Sequence, residues 1–376
     1  MKTVLFVGAA RDQARALERA RELGVRVLAV EAADVDRVEE LGRTHDVDGL
    51  LAGAAAGVFL VAAAAEELGL PGMGRATAHL LTHRVAMRRR LAEQGIAQPE
   101  FAAVRTLHEA RVAVHAIGLP AILKPADAAG QRGVFLLRYT DEVETHLHAA
   151  LAESPTQEAI VERYHDGLLL TAVAIARGGH VTTLAASDRL RPPGGFAVYP
   201  TKLFGDALAE AEDTVVRAVH ALDLRDGIAS AQLLATEEDM RVLELTSGIP
   251  GDDVALLALH TVGVDLVEVA LRQALGESVP DELVTPRFQR PLAIGFLTAE
   301  PGPLPAGRVR RVGSLEKVLA FPGVVDADTS LAAGETIDPV RLNGERRGYV
   351  IATGATNIEA LERAEAAARL VDVEVW

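Results

Sequence analysis

A lysine followed by a glycine-containing segment is the first feature of this sequence that could do chemistry. The segment runs Lys124-Pro-Ala-Asp-Ala-Ala-Gly130-Gln131-Arg-Gly133 between two apolar runs, which predicts a strand–loop–strand hairpin. Glycines at this spacing let backbone amides turn toward phosphate oxygens, which only accept hydrogen bonds, and Lys124 adds a point charge for the same phosphates. A hairpin turn with a surface lysine explains the segment about equally well. A Walker motif is excluded, because no Gly-Lys-Ser/Thr follows a longer glycine loop.

Two carboxylates downstream could complete such a site. An apolar run ends on Glu162, and a strand ending in an acid could bring its backbone and its side chain to the amino edge of an adenine. A surface acid at a strand end is the alternative. Gln232 and Glu244 lie twelve residues apart on two predicted adjacent antiparallel strands, so their side chains can enter one cleft. A magnesium nucleotide there would need oxygen ligands, preferably carboxylates.

The composition limits the classes of protein. At 376 residues the chain predicts two or three subdomains, and 49% hydrophobic with 24% charged residues is a globular balance. The absence of cysteine excludes disulfides, thiolate catalysis and cysteine zinc sites, and we expect no zinc site. A net charge of −15 disfavours nucleic acid as a partner. With no export signal and no apolar run near the ~20 residues of a membrane span, we expect a cytoplasmic protein without membrane contact.

The first eighty residues alternate between predicted strands and helices. This βαβαβ order predicts a parallel sheet. The first turn, Gly8-Ala-Ala-Arg-Asp12, lacks the three spaced glycines of a dinucleotide site, although Glu31 could meet a ribose, so a nicotinamide oxidoreductase is disfavoured.

The rest of the chain predicts an arginine-rich helix over residues 82–94, with Arg88-Arg89-Arg90 on its solvated face, and then mainly antiparallel strands. The strands are predicted at residues 120–125, 134–137, 159–161, 168–177, 180–186, 228–234 and 241–245, with a long helix at 206–222. Beyond Pro286 the chain changes character and ends in a helix at 358–370 and a strand at 371–376. We interpret this part as a third subdomain.

The lysine–glycine segment, Glu162 and the Gln232–Glu244 pair, in this order, resemble the ATP-grasp superfamily, in particular its carboxylate–amine ligases and biotin carboxylases. Gly95-Ile-Ala-Gln-Pro99, the run from His260 and the segment Arg347-Gly-Tyr-Val-Ile-Ala-Thr-Gly354 extend the resemblance over nearly the whole chain. It implies an α/β (α+β) ATP-grasp fold in three parts. These are a Rossmann-like parallel-sheet domain (1–82), a two-lobed ATP-grasp domain (83–285, with a mobile lid at about 119–164) and a biotin-carboxylase-like α+β module (286–376).

The resemblance also implies a reaction and its cofactors. Such ligases use ATP and Mg²⁺ to phosphorylate a small carboxylate, and an amine then attacks the acyl phosphate. It places Lys124 on the phosphates and the loop with Gly130, Gln131 and Gly133 over them. The adenine hinge falls at Glu162, with Arg163 and His165 beside it. Arg84 stands where the family has a lysine, and Glu244 is the metal ligand.

Several positions depart from the family pattern around the metal. Gln232 replaces a second carboxylate and offers only a neutral oxygen, which predicts one magnesium ion rather than two. Asp252 and Asp253 could substitute for it, or could cap the helix that follows. The remaining departures are Thr246 for asparagine, Gly248 for arginine, and Leu168 or Leu169 for a ribose-binding acid.

Two functions remain open on these residues. The first is an ATP-dependent ligase for a small amino-acid-like or peptide-like carboxylate and an amine, in which Arg189 or Arg191 holds the substrate carboxylate; a solvated basic loop explains these arginines as well. The second is a catalytically degenerate relative that binds a nucleotide or another ligand as a partner subunit. The resemblance also raises a homodimer as the assembly.

Overall fold

The computed structural model describes residues 1–8, 14–32, 34–53, 55–128, 132–190, 195–249, 252–300, 302–339 and 346–376. Its N-terminal unit is a parallel three-stranded sheet in the order β2-β1-β3, as the alternation of elements predicts. The strands and helices of this unit are β1 (Thr3–Val7), α1 (Ala14–Glu22), β2 (Arg26–Val30), α2 (Val35–His45), β3 (Gly49–Ala52) and α3 (Val58–Leu68). All five residues of β1 are buried, which explains its unbroken apolar run.

The helix predicted over residues 82–94 is present as α5 (Arg84–Glu93), and a further helix, α4 (Arg75–Thr82), precedes it. His83, in an extended conformation, separates the two helices. The ring Nδ1 of His83 accepts a hydrogen bond from the Ala86 amide at 3.3 Å and so caps α5. The helix predicted over residues 82–94 is therefore confirmed to within two residues at either end, whereas α4 was not predicted.

A four-stranded antiparallel sheet, in the order β4-β7-β5-β6, forms a lobe of its own, which we call the lid lobe. Its elements are β4 (Phe101–Val104), α6 (Leu107–Ile117), β5 (Ala121–Pro125), β6 (Phe135–Leu137), α7 (Glu142–Ala152) and β7 (Ala159–Arg163). Thr106 and Glu109 form a capping box that begins α6. The lobe thus starts with β4, about twenty residues before the predicted lid.

An eight-stranded sheet, in the order β12-β11-β8-β9-β10-β13-β17-β15, is the centre of the molecule. The elements of its first part are β8 (Leu168–Arg177), β9 (His180–Leu190), β10 (Phe196–Tyr199), α8 (Gly205–Ala221), β11 (Gly227–Ala235), β12 (Met240–Ser247), α9 (Asp252–Val262) and α10 (Leu266–Ala274). The later elements are β13 (Leu292–Phe296), β14 (Gly307–Val312), α11 (Glu316–Leu319), β15 (Val324–Thr329), β16 (Thr336–Ile337), β17 (Gly348–Thr353), α12 (Asn357–Ala368) and β18 (Val373–Val375). The sheet therefore continues across the predicted boundary at residues 285/286.

The two faces of this large sheet bury different cores. One face packs against α8 and the helices α4 and α5, around residues such as Leu233 and Leu245. The other face packs against the N-terminal unit and against α9 and α10, around residues such as Ile228 and Ile294. Among the residues that the structure describes, no single helix is long and apolar enough to cross a membrane, although α9 and α10, which meet at 115°, pass that test of length and composition when taken together.

Candidate functional site

Lys124 and Glu162 lie on the same face of the lid-lobe sheet. In the antiparallel register Lys124 is opposite Ile160, and Ile122 is opposite Glu162, so alternate residues of β5 and β7 share one face. The opposite face, with Leu123 and its neighbours, packs against α6 and α7. The two charged side chains consequently turn away from the lobe's own core. Neither is on the surface: the side chain of Lys124 is 11% exposed and that of Glu162 is 4% exposed.

Gln232 and Glu244 are directly opposite each other on β11 and β12, as their spacing predicts. The register shifts between Gln232 and Leu233, and Leu243 is the extra residue of this bulge. Because of the shift, Val242 and Leu245 both pack into the core, while Glu244 turns to the other face. Gln232 is in turn opposite Thr171 on β8. The sheet thus presents a row of oxygen-bearing side chains on one face.

Five charged residues form what we call the interlobe charge cluster: Arg84, Arg88, Lys124, Glu162 and Glu244. The carboxylate of Glu162 lies 2.8 Å from Lys124 Nζ and 2.8 Å from Arg88 Nε, and Glu244 lies 2.9 Å from Arg84 Nη2. Three cations and two carboxylates give the cluster a formal charge of +1. The cluster joins β5 and β7 of the lid lobe to β12 of the large sheet through α5.

The two arginines of α5 reach both lobes. Arg84 Nη1 donates to the carbonyls of Pro125 and Ala128 at 3.0 and 2.7 Å, immediately before the glycine segment. Arg88 donates to Glu162 and also to the carbonyls of Val242 and Leu243. Because the two residues are four apart on the helix, they lie on the same side of α5. Together they hold the lid lobe against β12.

The electrostatic environment keeps the carboxylates ionised. Burial would raise the pKa of Glu162, but Arg88 and Lys124 outweigh burial and lower this pKa to about 2. Burial also favours the neutral form of Glu244, yet nearby cations, first of all Arg84, lower its pKa. For Lys124, burial lowers the pKa and the neighbouring carboxylate of Glu162 opposes that effect. At neutral pH both carboxylates therefore carry their charge.

Two predicted roles can be compared with these contacts: the adenine hinge at Glu162 and the glycine loop over the phosphates. The carboxylate of Glu162, predicted for an adenine hinge, is already bound by two cations, and its contact with a base stays a prediction. Gly133 has φ +69°, and a Cβ there would lie 2.9 Å from Cγ of Pro125, so the backbone requires glycine at this position. Gly130 and Gln131 lie outside the described residues.

The other two residues predicted for the adenine hinge, Arg163 and His165, closely follow Glu162. Arg163 Nε lies 3.2 Å from the carboxylate of Glu100, and its side chain is half-exposed. His165 Nε2 lies 3.2 Å from the same carboxylate and 2.7 Å from Arg241 Nη1 on β12. The predicted hinge residues thus form a polar network where the lid lobe meets the large sheet.

One of the two predicted substrate arginines, Arg189, lies on β9 of the large sheet. Arg189 alternates with Ser187 on β9, and Ser187 is opposite Thr171, so Arg189 is on the sheet face of Gln232 and Glu244. Its guanidinium lies 5.2 Å from the ring centroid of Phe296. Arg191 lies outside the described residues.

The residues near Glu244 that differ from the family pattern lie at the end of β12, and the two aspartates that could substitute for Gln232 follow in α9. Thr246 Oγ1 donates to the carbonyl of Ser230 at 3.4 Å, and Gly248 has φ +110° at the end of β12. Asp252 and Asp253 are the first residues of α9, and their side chains lie outside the described part of the chain.

Arg88 is the site residue that reasoning from sequence missed. We placed Arg88 on a solvated helix face, and this was wrong: the residue is 1% exposed. Three consecutive arginines cannot all share one side of a helix, and Arg89 is the exposed one. The spacing of four residues from Arg84 was the signal in the sequence that could have identified it.

Comparison with known families gives two matches. Residues 83–282, just over half of the chain, match the model of the carbamoyl-phosphate synthase L chain, ATP binding domain. Residues 302–375 match the L-amino acid ligase C-terminal domain 2. The first match covers the lid lobe, the interlobe charge cluster and β12, and the second covers most of the C-terminal module.

Three similar proteins illustrate the range of relatives. Uncharacterized protein y4rH of Sinorhizobium fredii is 26% identical over 89% of this chain and 71% of its own length. The formate-dependent phosphoribosylglycinamide formyltransferase of Ignicoccus hospitalis is 26% identical over 77% of this chain and 71% of its length. The carbamoyl phosphate synthase large chain of Thermotoga neapolitana is 23% identical over 73% of this chain, which spans only 25% of that protein.

Solved structures share the fold over the whole chain. The L-amino acid ligase from Bacillus licheniformis has a TM-score of 0.85 at 18% identity, covering 100% of this chain and 99% of that chain. The biotin carboxylase domain of the Hydrogenobacter thermophilus 2-oxoglutarate carboxylase, in complex with MgADP, has a TM-score of 0.77 at 17% identity, covering 99% and 90%. At these identities the likeness concerns the fold, which is the ATP-grasp architecture predicted from the sequence. Since the first family model matches more than half of the chain, the protein belongs to the family of the carbamoyl-phosphate synthase L chain ATP-binding domain, within the ATP-grasp ligases.

Proposed function

We propose that the protein is an ATP-dependent ligase that joins a small carboxylate to an amine through an acyl phosphate. The observation that carries the proposal is the interlobe charge cluster, because it lies between the two lobes and combines cations for phosphates with a carboxylate for a metal. Family membership supports ATP as the nucleotide. The likeness to an L-amino acid ligase in the last quarter of the chain supports an amino-acid-like or peptide-like carboxylate.

The cluster suits a polyphosphate. Lys124 and Arg84 are cations of the cluster that flank the described end of the glycine segment, and arginine can bind phosphate oxygens in a bidentate manner. The excess of one positive charge favours an anion over a neutral ligand. Binding of phosphates would draw Lys124 and Arg84 away from the carboxylates that they contact.

The donor set also fits magnesium. Glu244 contributes an ionised carboxylate and Gln232, directly opposite, a neutral amide oxygen, and Mg²⁺ typically takes one or two protein ligands together with phosphate and water. When bound, the ion offsets charge on the transferred phosphoryl group. With one carboxylate available, we propose a single ion.

The proposed reaction has two steps, in each of which one bond forms and another breaks. A carboxylate oxygen of the substrate attacks the γ-phosphorus of ATP and ADP leaves. The amine nitrogen then attacks the carbonyl carbon, phosphate leaves with the C–O bonding pair, and the nitrogen loses a proton. Lys124 and Arg84 orient the phosphates, and the closed lid lobe excludes water from the acyl phosphate. Arg189, on the same sheet face as Glu244, is proposed for the substrate carboxylate.

The test is release of ADP and phosphate over a panel of amino acids and amines. We expect turnover with at least one pair. The turnover rate should fall at least about a hundredfold in Glu244→Gln, which keeps the shape of the side chain but removes the negative charge proposed to bind the metal. Glu237→Gln, at an exposed position of the β11–β12 turn, is the matched control and should turn over normally. Absence of turnover with every pair, in folded wild-type protein, would count against a ligase.

A second function is suggested by the residues around Glu244. Its neighbour on β11 is a neutral glutamine, and Gly248 supplies no side chain. A protein that binds a nucleotide or ligand without turnover would have these features. Turnover separates the two: release of ADP and phosphate by the wild-type protein supports the ligase, whereas activity that appears only in Gln232→Glu supports the degenerate relative.

A homodimeric assembly and a cytoplasmic location stay predictions. Analytical ultracentrifugation at several concentrations tests the assembly directly.

A further inference from the structure

His83, the residue between α4 and α5, is a largely buried histidine with no role in the proposed reaction steps. Its side chain is 12% exposed. Both ring nitrogens have partners: Nδ1 accepts from the amide of Ala86 at 3.3 Å, and Nε2 lies 3.3 Å from the carboxylate of Glu158. A ring nitrogen that accepts a hydrogen bond carries no proton. The contacts therefore assign the neutral tautomer, with its proton on Nε2 and donated to Glu158.

The surroundings of the imidazole favour this neutral form. The ring of His79, on α4, lies with its centroid 5.0 Å from the centroid of His83. Two acids act on the ring, Glu158 and Asp127, and Arg105 lies 3.4 Å from the second oxygen of Glu158. Burial and then His79 lower the pKa of His83, although both acids oppose this effect.

The cap on α5 is linked to the phosphate side of the interlobe charge cluster. Arg84 is the first residue of α5 and directly follows the cap. Its amide donates to the carbonyl of Ala126, and its guanidinium donates to the carbonyls of Pro125 and Ala128. The first turn of the helix therefore sets the position of the backbone that enters the glycine segment.

Glu158 connects the same imidazole to the other side of this backbone. Its carbonyl accepts from the amide of Ala126 at 2.9 Å, while its carboxylate accepts from Nε2 of His83. Glu158 is 8% exposed and immediately precedes β7. His83 consequently lies where α5, the start of β7 and the backbone after β5 meet.

A second proton on His83 would disrupt this arrangement. The proton binds Nδ1, which then becomes a donor opposite the amide donor of Ala86. The amide of Ala86, one of the unpaired groups in the first turn of a helix, loses its acceptor. The imidazolium would also stand at the N-terminus of α5, where the helix dipole disfavours a cation. Its attraction to Glu158 persists but does not restore the cap.

We propose that His83 is a positioning residue for nucleotide phosphates, which holds Arg84 and the entry to the glycine segment in place only while its imidazole is neutral. Phosphate binding should consequently weaken as His83 gains a proton. The inference rests on the proposed function for the identity of the anion. The tautomer of His83 and the cap on α5 are properties of the protein itself and can be measured without added nucleotide.

The tautomer is tested by NMR of the full-length protein labelled with ¹⁵N in its histidine rings. His83→Asn identifies the signals of His83, because the substitution removes them. We expect the neutral form protonated on Nε2 near neutral pH, and a pKa below the ordinary value of 6.5. A ring protonated on Nδ1 at neutral pH, or a pKa above 6.5, would overturn the assignment.

Calorimetry with magnesium ATP tests the link to phosphate binding. His83→Asn keeps an uncharged cap at every pH, whereas His83→Ala removes the cap. From about pH 7.5 to about pH 5, the dissociation constant of the wild-type protein should rise at least about threefold more than that of His83→Asn. At about pH 7.5, His83→Ala should bind at least about threefold more weakly than the wild-type protein, and His83→Asn should bind about as tightly.

The matched control is His148→Asn, at an exposed position of α7, which should keep the pH dependence of the wild-type protein. Protonation of ATP itself is common to all four proteins and cancels in the comparison. Thermal melting establishes that each variant is folded, and the comparison with His83→Asn decides the matter if His83→Ala does not fold. Identical pH profiles for the wild-type protein and His83→Asn would overturn the role of His83.

The same measurements separate this inference from the proposed function. Turnover combined with identical pH profiles contradicts only the role of His83. ATP binding that depends on His83 and pH, without turnover of any acid and amine, contradicts only the ligase. Failure of the wild-type protein to bind ATP contradicts both.

Discussion

At the scale of single residues, Arg88 shows how a buried charge holds the two lobes in place. Its guanidinium is enclosed by one carboxylate and two backbone carbonyls from different lobes, at 2.5–3.0 Å. Removing one partner of a buried pair leaves the other charge uncompensated, which costs more than the pair itself contributes. The role of Arg88 is therefore to position Glu162 and β12, since the contacts it makes are with the protein itself.

We predict that Arg88→Met lowers the free energy of unfolding by about 3–5 kcal/mol, because Glu162 loses one of its two cations in a buried position. Urea denaturation followed by circular dichroism measures this change. Arg89→Met, at the next and exposed position, is the matched control and should stay within about 0.5 kcal/mol of wild type. Equal effects of the two substitutions would contradict the prediction.

Glu162 also gives the stability a dependence on pH. Its pKa is about 2 in the folded protein against an ordinary value of 4.5, so the unfolded chain binds this proton more readily. The stabilisation is complete above about pH 5 and is lost as the pH falls toward 2, amounting to about 3 kcal/mol. Denaturation at a series of pH values should show a shallower loss in Glu162→Gln than in wild type. Parallel curves for the two proteins would refute this assignment.

At the scale of elements, α5 and the segment after β5 form one unit. Arg84 binds the carbonyls of Pro125 and Ala128, and the amide of Arg84 donates to the carbonyl of Ala126 at 2.7 Å. The start of the helix thus fixes the backbone that enters the glycine segment. Gly133 then returns the chain to β6 with a positive φ and little space beside it.

Gly133→Ala should destabilise the lid lobe by more than the positive φ alone explains. Alanine at φ +69° costs about 1–2 kcal/mol, and the contact with Pro125 adds to that cost. Gly178→Ala is the control, because Gly178 has φ +55° but no other atom would lie within 4 Å of an added Cβ. Chemical denaturation should give the larger loss for Gly133→Ala. If Gly178→Ala is equally or more destabilising, the contact with Pro125 is unimportant.

At the scale of the whole molecule, the large sheet makes the C-terminal module part of the ATP-grasp core. β13 pairs with β10, and β17 pairs with β13, so strands from both sides of residue 285 share one ladder. Leu292, Ile294 and Ile351 are buried in the same cluster as Val4 and Phe6 of the N-terminal unit. The three parts of the chain therefore depend on one another for burial.

We predict that a fragment of residues 1–285 fails to fold as a stable monomer. Truncation leaves the edge of β10 unpaired and exposes the apolar face that β13 and β17 cover. Circular dichroism and gel filtration should show loss of cooperative melting and association of the fragment, while the full chain melts in one transition. A monomeric fragment with the melting temperature of the full chain would show that the module is independent.

The sequence by itself determined the parallel N-terminal sheet, the hairpins and most strands of the ATP-grasp domain. These follow from local periodicity and turn chemistry, which act over a few residues. It also determined that Gln232 and Glu244 face each other, because antiparallel pairing of neighbouring strands converts spacing into position. The resemblance to the family rests on the same local segments in order.

Only the tertiary structure decided which charges are buried and what they contact. Arg88 and Arg89 are adjacent in the sequence, yet one is enclosed by both lobes and the other faces solvent. The pairing of Glu162 with Lys124 and Arg88 and the pairing of Glu244 with Arg84 both join elements that are far apart in the chain. Packing between distant elements, rather than local preference, sets the solvation of each charge and therefore its energy and its chemistry.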